Sequence, residues 1–427
     1  MPSATNGRPL SIAAYGIVEK QGGSVASADS VVLEHLLRRG HRVDFYAFRG
    51  YVDPVELNGS EGYRYIPVDV GPIRVGWRAL ERLPGPLRRL PSLLYSQISN
   101  HVLERAVGRE VAREHRGRPY DLLLALGLLA PFRVPGLPAV SWPQGPPLSE
   151  WRTFRSLARG PLRPYLGRRL YAGLAALYGH KARLSRVQVG YSDRVLCGSR
   201  WAAGEWEEFG LPAGAVLPVT YPFDLDLFRP APRSDEARPP RFLWLGRIVP
   251  RKRLDLALEA FKRLRVRYPD AELLIIGQFS YGGGLRRLLD EYAGVGGVEY
   301  RPSIPRDEVP ALLSRVDAVL QPGEAENLGS TALEAMACGV PSVVGPTNGT
   351  IDYLDPSSVV FDAYTPEAVE AALARIIEVV RADRAGVAAG CRATAERLLS
   401  AETVVDQLEA IFGATIAEAA ARPAATA

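Results

Sequence analysis

The chain has 427 residues, of which 47% are apolar and 23% charged, and it carries a net charge of +5 at pH 7. This length suits two domains with separate cores, and the lack of any run of about 18 apolar residues argues against a membrane-spanning helix. The three cysteines lie far apart and in no metal-ligand spacing, so we expect them to be reduced and buried, as in a cytoplasmic protein.

The first half of the chain alternates strand and helix patterns, which is typical of a parallel α/β sheet. Residues 10–15 form the first predicted strand, and a loop containing Gly22 and Gly23 follows it. The next helix is expected to end at Gly40, because glycine favours the left-handed position after a helix. The later predicted elements are strands over 42–47, 121–126, 138–142 and 194–197, and a basic helical stretch over 151–186.

Positive charge is concentrated in this half. Residues 151–200 hold eleven Arg or Lys against one acid, Asp193, and residues 74–118 hold ten Arg against four Glu. Such a surface attracts phosphate-bearing substrates, anionic lipid or nucleic acid, but aromatic residues are not interleaved with it as a nucleic-acid platform requires. The charge pattern therefore favours an anionic or membrane-bound substrate and no nucleic acid, with solvated arginine-rich helices as the alternative.

A proline-rich, polar segment over residues 230–240 separates the two halves and predicts a linker. A second strand–helix series then begins with a strand over 241–245. Further strands are predicted over 272–277, 317–320 and 341–344, with helices from about 366 and 401. The predicted organisation is a Rossmann-like domain over 1–230, a linker over 231–240, a second Rossmann-like domain over 241–398, a C-terminal helix over 399–420 and a disordered tail over 421–427.

Residues 326–334 carry the most informative motif, in which Glu326 and Glu334 are separated by a glycine turn and the start of a helix. The amides of residues 329–331 are expected to be unpaired, and together with the helix dipole they form an anion site. A phosphate seat beside two carboxylates that can bind hydroxyls suits a nucleotide sugar. The alternative is a capping box, in which Glu334 satisfies only a backbone amide.

These two glutamates, followed by Ala-Met-Ala-Cys-Gly-Val-Pro over 335–341, resemble the motif of glycosyltransferase family 4, a large group of retaining enzymes with the GT-B fold. The resemblance extends from the Gly22-Gly23 pair to about Tyr353. It implies an α/β protein with two Rossmann-like domains facing across a central cleft, and C-terminal helices that pack back toward the N-terminal domain. It also implies that Glu326 contacts the donor sugar and that Glu334 contacts the ribose.

The loop after the strand 241–245 is the second motif, with Arg247 and Lys252 five residues apart. A fork-shaped Arg and a point-charge Lys can clamp a diphosphate, and a simple basic turn is the alternative. The family resemblance assigns both cations to the leaving diphosphate and places the Gly22-Gly23 pair across the cleft from it. Family members often carry a His near the reacting sugar, where this chain has Gln144, our candidate on the acceptor side.

The resulting hypothesis is a retaining, metal-independent glycosyltransferase of the hexosyltransferase type. It would move a sugar from a nucleoside diphosphate to an acceptor hydroxyl by front-face attack, with no cofactor. The predicted catalytic residues are Arg247, Lys252 and Glu326. The predicted donor site is Gly22, Gly23, Gly246, Arg247, Lys252, Glu326, Asn327, Leu328, Gly329, Ser330, Thr331 and Glu334, where Asn327 departs from the family's usual Gly.

Several alternatives stay open at the level of sequence. The acceptor is either a lipid-linked glycan of the cell envelope or a soluble, anionic or specialised small molecule, and the base and sugar of the donor are undetermined. Contact of the basic N-terminal half with the inner face of a membrane is compatible with either acceptor. A sugar-nucleotide epimerase with the GT-B fold and a non-catalytic partner protein are the competing functions.

Overall fold

The computed structural model describes residues 8–16, 24–48, 57, 59–69, 102–212, 214–231, 238–280 and 283–422. These residues form two sheets in which all paired strands are parallel. The strands of the first sheet are β1 (Ser11–Gly16), β2 (Arg42–Phe48), β3 (Tyr63–Val68), β4 (Leu122–Gly127), β5 (Ala139–Pro143), β6 (Arg194–Cys197) and β7 (Val216–Pro218). Those of the second are β8 (Arg241–Leu245), β9 (Glu272–Ile276), β10 (Val298–Arg301), β11 (Ala318–Gln321), β12 (Ser342–Val344) and β13 (Val359–Val360).

Both sheets are wound in the same way. The strand order is β3-β2-β1-β4-β5-β6-β7 in the first and β10-β9-β8-β11-β12-β13 in the second. In each, the order reverses beside the first strand, and ligands of such sheets bind beyond the carboxyl ends of the strands at that reversal. This places the expected sites beyond β1 and β4, and beyond β8 and β11. We call the halves built on the two sheets the first and second domains.

Helices connect these strands. In the described residues they are α1 (Ser24–Arg38), α2 (102–117), α3 (Pro147–Arg159), α4 (Arg168–Gln188), α5 (Arg200–Glu207), α6 (Leu254–Arg267), α7 (Arg286–Glu291), α8 (Val309–Leu313), α9 (Ser330–Ala337), α10 (Pro366–Ala382), α11 (Arg384–Leu399) and α12 (Ala401–Ala421). None of the helices described here is long and apolar enough to cross a membrane. The three cysteines are free and buried, as predicted.

The predicted central strands are present, and their burial explains why they were recognisable. Every residue of β5 is buried, as are five of the six residues of β4, so these strands have the continuous apolar sequences expected of a doubly covered parallel sheet. Helix α6 buries an apolar stripe of Leu254, Ala257, Leu258, Phe261 and Leu264. Four strands that the sequence analysis did not identify, β3, β7, β10 and β13, all lie at sheet edges.

The basic helical stretch predicted over 151–186 forms a helical hairpin, α3 and α4, inserted between β5 and β6. The hairpin turns over residues 160–167, which contain Pro161 and Pro164, because proline interrupts helical hydrogen bonding. On α4 the side chains of Arg168, Arg169, Lys181, Arg183 and Arg186 are exposed. The other predicted basic stretch, 74–118, lies outside the described residues up to residue 101.

Helix α12 returns to the first domain, as the fold class predicted. Arg39 contacts Asp406 at 2.7 Å and Glu409 at 3.0 Å. The buried ring of His41 accepts a hydrogen bond from the Leu10 amide at Nδ1, and its Nε2 lies 2.8 Å from Glu409. The helix extends one residue past its predicted end, to Ala421.

The first residues of the predicted disordered tail are ordered. Ala421 belongs to α12, and Arg422 forms an ion pair with Asp193 of the first domain. The contact explains the difference, because a charged partner in the fold holds a terminus that its own sequence would leave free. Residues 423–427 lie outside the described residues.

One buried acid stands apart from these ion pairs. The side chain of Asp29 in α1 is fully buried, and both of its oxygens lack a hydrogen-bond partner among the described residues. It lies beneath Gly127, the last residue of β4, where a Cβ atom would be 3.4 Å from Asp29 Oδ2. Burial raises the pKa of Asp29 well above its usual range, because desolvation disfavours the charged form.

Asp29→Asn is therefore expected to remove a pH dependence of stability. Burial raises the pKa of Asp29 in the native protein, whereas in the unfolded chain Asp29 ionises near pH 4, so stability falls as pH rises from that value toward the native pKa. We expect similar thermal midpoints for the variant and the wild type at pH 5. At pH 8 the variant should be more stable than the wild type and unfold at a higher thermal midpoint. Asp362→Asn, at an exposed site, is the control and should show no such difference.

Candidate functional site

The loop after β8 presents its cations to the space between the domains. Arg247 is exposed and lines the cleft. The chain then forms a single 3-10 turn, Pro250–Lys252, which ends with Lys252 pointing back toward the loop after β11. Lys252 Nζ lies 2.8 Å from Glu326 Oε1, so the lysine predicted to bind diphosphate is paired with the glutamate predicted to bind sugar.

Glu326 is a buried carboxylate held by two cations. Only 5% of its side chain is exposed, and its Oε2 lies 2.7 Å from a guanidinium nitrogen of Arg251. Burial alone would raise its pKa, but the charges of Arg251 and Lys252 outweigh this and lower the pKa to about 2. The carboxylate is therefore ionised throughout the working pH range.

The backbone around Glu326 is fixed by the segment that follows β12. The Glu326 amide donates to the carbonyl of Thr347 at 3.1 Å, and the Gly349 amide donates to the carbonyl of Glu326 at 2.9 Å. The preceding residue, Ala325, has φ of +55°, a left-handed conformation that a non-glycine residue adopts only at a cost in energy. Backbone strain is thus stored beside the carboxylate and is held in place by these hydrogen bonds.

Glu334 lies deeper in the same cleft and does not cap the helix. Helix α9 begins at Ser330 after Gly329, so Thr331 is inside the helix and the capping-box alternative is wrong. Glu334 is in the second turn of this helix. Its Oε1 lies 3.1 Å from Arg306. Burial raises the pKa of Glu334 to about 6, and Arg306 offsets only part of that effect.

The prediction that the amides of residues 329–331 are unpaired is wrong for Ser330. The Ser330 amide donates to the Leu328 carbonyl at 3.0 Å, so the turn before α9 uses this donor internally. The Thr331 hydroxyl donates to the Leu245 carbonyl at the end of β8. The sequence analysis counted every first-turn amide as free, whereas the tight turn over residues 328–330 satisfies the amide of Ser330.

Most of the predicted donor-site residues line one cavity of about 620 Å³ between the domains. The cavity includes Gly246, Arg247, Lys252, Glu326, Asn327, Leu328, Ser330, Thr331 and Glu334, with Gln144 on the opposite wall. Gly329 is packed against Gln321 and Asn348 instead, with no room for a Cβ atom. The predicted residues Gly22 and Gly23 lie outside the described residues.

Asn327 connects the two domains. Its Oδ1 accepts a hydrogen bond of 2.8 Å from the Gly198 amide at the end of β6. A Cβ atom on Gly198 would lie 2.7 Å from Leu328, so glycine is required for this approach. The residue that departs from the family pattern therefore ties the donor loop to the first domain.

The sequence analysis missed three side chains at this site, Arg251, Arg306 and Glu150. Glu150 is in the first turn of α3 and lies 3.7 Å from Arg251. The position of Arg251 directly before Lys252 in the same loop was a usable signal. Arg306 and Glu150 come from distant segments, and no local pattern indicated that they would meet Glu334 and Arg251.

A second cavity, of about 390 Å³, adjoins the first on the side of the first domain. The two share part of their walls, formed by Gln144, Gly145, Glu150, Arg247 and Arg251. Of the remaining lining residues, α4 contributes Leu177, Tyr178, Lys181, Leu184, Ser185 and Gln188. The adjacency provides room for two different molecules whose ends meet near Gln144.

The raised pKa of Glu334 leads to a testable pH dependence. If its carboxylate accepts hydrogen bonds from the ribose hydroxyls, protonation below pH 6 removes that acceptor. The dissociation constant of a nucleoside diphosphate, measured by calorimetry, should then rise about tenfold between pH 7.5 and pH 5. Glu334→Gln should bind more weakly at pH 7.5 and retain only the pH dependence of the ligand's own phosphates. An equal pH dependence in both proteins would contradict the assignment.

The two domains and the cleft between them define the GT-B architecture. Solved structures with the same fold include HepE from Anabaena in complex with UDP, with a TM-score of 0.63 at 15% identity over 95% of this chain and 100% of that one. Sucrose-phosphate synthase from Thermosynechococcus elongatus matches with a TM-score of 0.63 at 18% identity over 96% of this chain and 100% of that one.

Residues 230–385 match the family model described as glycosyl transferases group 1. The matched range covers most of the second domain and includes the motifs around Arg247 and Glu326, where the sequence resembled this kind of enzyme. The chain is 29% identical, over 44% of its length, to a GDP-mannose-dependent alpha-(1-6)-phosphatidylinositol monomannoside mannosyltransferase from Mycolicibacterium smegmatis. It is 30% identical, over 50% of its length, to a D-inositol 3-phosphate glycosyltransferase from Segniliparus rotundus. These matches span about half of each relative, 56% and 52% respectively.

Proposed function

We propose that this chain is a retaining glycosyltransferase that transfers a sugar from a nucleoside diphosphate sugar to an acceptor hydroxyl. The observation that carries the proposal is the cleft itself, where Arg247 and Lys252 face Glu326 and Glu334 within one cavity. A diphosphate requires cations, whereas a ribose and a sugar require acceptors for their hydroxyl protons. This cleft supplies both kinds of group within the span of one ligand.

Arg247 and Lys252 are assigned to the diphosphate, whose negative charge grows as the bond to the sugar breaks. Glu326 is assigned to the sugar hydroxyls and Glu334 to the ribose. The acceptor hydroxyl attacks from the side of the leaving group, and a diphosphate oxygen takes its proton, so the anomeric configuration is retained. Because the two cations provide the positive charge, the reaction is proposed to proceed without a metal ion or cofactor.

We propose a guanosine diphosphate sugar as the first donor to test, with uridine diphosphate sugars as the comparison. The support is that the M. smegmatis relative is named as GDP-mannose-dependent, whereas the HepE structure contains UDP. For the acceptor, both named relatives act on an inositol phosphate or an inositol lipid. We propose a phosphorylated or lipid-linked polyol, which would enter the second cavity beside Gln144.

Peripheral contact with an anionic membrane is part of the same proposal. The exposed cations of α4 support it, because such clusters attract anionic lipid headgroups. The same helix lines the second cavity. A lipid-linked acceptor could therefore reach this cavity while its lipid part stays at the membrane.

Purified protein incubated with GDP-mannose or UDP-glucose tests the proposal, with phosphatidylinositol vesicles or inositol phosphate as acceptors. The expected result is acceptor-dependent release of one nucleoside diphosphate, with an α-linked product by NMR and full activity in EDTA. Conversion of the donor sugar without any acceptor would favour the epimerase alternative. Nucleotide binding without turnover on any acceptor would favour a non-catalytic protein.

A further inference from the structure

Arg251 is a largely buried cation that touches carboxylates from both domains. Its guanidinium lies 2.7 Å from Glu326 of the second domain and 3.7 Å from Glu150 of the first. Only 18% of its side chain is exposed. Glu150 and Arg251 line both cavities. Their ion pair therefore lies in the wall between the proposed donor cavity and the proposed acceptor cavity.

The backbone holds Arg251 and Glu326 in a fixed relation. The Glu324 amide donates to the Arg251 carbonyl at 2.7 Å, which joins the 3-10 turn to the loop after β11. Gly323 fits between them without room for a side chain. A Cβ atom there would lie 2.8 Å from Glu326 Oε1 and 3.3 Å from the Arg251 carbonyl. A shift of the turn would therefore move the carboxylate with it.

The two cations paired with Glu326, Lys252 and Arg251, are expected to behave differently when a donor binds. Under the proposed function, Lys252 must turn toward the diphosphate, which removes one partner of a buried carboxylate. An unpaired buried charge is costly, so Glu326 needs a second cation that stays in place. We assign this role to Arg251, because it has a second carboxylate partner, Glu150 of the first domain, that can hold it beside Glu326 when Lys252 turns away.

We propose that Arg251 is a positioning residue that holds the Glu326 carboxylate oriented toward the donor sugar, and that it does so fully only when the first domain supplies Glu150. This inference rests on the proposed function. The hydrogen bond from Gly198 to Asn327 supports it, because it holds the same loop against the first domain one residue further along. In this proposal, closure of the two domains brings Glu150 to Arg251 and so orients Glu326 toward the sugar.

The test compares Arg251→Gln, Arg251→Lys, Glu150→Gln and the Glu150→Gln/Arg251→Gln double variant. The readouts are the dissociation constants of nucleoside diphosphate and nucleotide sugar, together with kcat and KM for transfer. Arg251→Gln should bind nucleoside diphosphate within about threefold of the wild type but lose about 30-fold in kcat. Arg251→Lys should recover part of the loss, because it keeps a cation on Glu326.

Glu150→Gln should lower kcat about fivefold in the wild-type background and have no further effect when Arg251 is already Gln. Arg263→Gln, an exposed arginine on α6, is the control for loss of a surface ion pair and should match the wild type. Unchanged kcat in Arg251→Gln, or additive losses in the double variant, would overturn the role of Arg251. A wild-type protein that binds no nucleotide would instead overturn the proposed function on which this role depends.

Discussion

Replacing Glu326 by Gln is expected to lower kcat/KM about 100-fold, because the transition state loses charged hydrogen bonds to the sugar. Binding of nucleoside diphosphate without sugar should stay the same or become tighter. In the wild type, Lys252 lies 2.8 Å from the ionised carboxylate and must leave it to reach a phosphate. In the variant the partner is neutral, so this cost is absent. Calorimetry with nucleoside diphosphate and steady-state transfer kinetics measure these two effects separately.

The matched control for this variant is Glu324→Gln, two residues earlier in the same loop. Glu324 forms an ion pair with Arg253 and is not assigned to the donor. Both variants remove a carboxylate from a partly or fully buried ion pair, so both should lower the thermal midpoint. Only Glu326→Gln should lose turnover. Equal turnover in the two variants would remove Glu326 from the sugar site.

Replacing Lys252 by Met is expected to act in the opposite direction on nucleotide binding. Met retains most of the side-chain volume but cannot neutralise the diphosphate. The dissociation constant of the nucleoside diphosphate should therefore rise about tenfold, and kcat should fall by about 100-fold or more, because the charge on the leaving group grows in the transition state. The ratio of the two losses measures how much of the stabilisation is specific to the transition state.

Lys262→Met is the control for the loss of a lysine charge, since this residue is largely exposed on α6 and forms a surface ion pair with Glu259. This variant should change neither the dissociation constant of the nucleoside diphosphate nor kcat. If Lys252→Met binds nucleoside diphosphate as well as the wild type, then Lys252 serves only as the partner of Glu326. In that case the diphosphate would depend on Arg247 alone.

The extent to which the fold could be predicted depended on where each strand lies in its sheet. Central strands such as β4 are covered on both faces, so their sequences are continuously apolar and easily recognised. The missed strands are edge strands, which pack less completely. In β10 the residues alternate between half-buried and exposed, and the strand has only four residues, so its pattern is too short and too polar to identify.

The predicted site residues that the structure brings into one cavity are those that share local motifs. Arg247 and Lys252 share a loop, and Glu326 and Glu334 share a segment, so their spacing in sequence was informative. The contacts of Arg306 with Glu334 and of Glu150 with Arg251 join segments that are far apart in the chain. Such pairs depend on the packing of whole elements, which residue patterns within a single segment do not encode.

The hydrogen bonding at the start of α9 was predicted wrongly for a different reason. Counting first-turn amides as free is a general rule for helix ends, but the turn over residues 328–330 uses one of them. The pairing of Lys252 with Glu326 was also missed, because each residue was considered only as a ligand contact and not as a partner of the other.

Calorimetric titration of GDP and UDP into the protein, with and without EDTA, tests the central claim most directly. The expected result is saturable one-to-one binding that favours one of the two nucleotides and does not depend on a chelator. Arg247→Ala should weaken that binding at least about tenfold, because one of the two diphosphate cations is lost. Absence of binding at millimolar concentrations of both nucleotides, or equal binding by Arg247→Ala, would contradict the assignment of this cleft to a nucleoside diphosphate sugar.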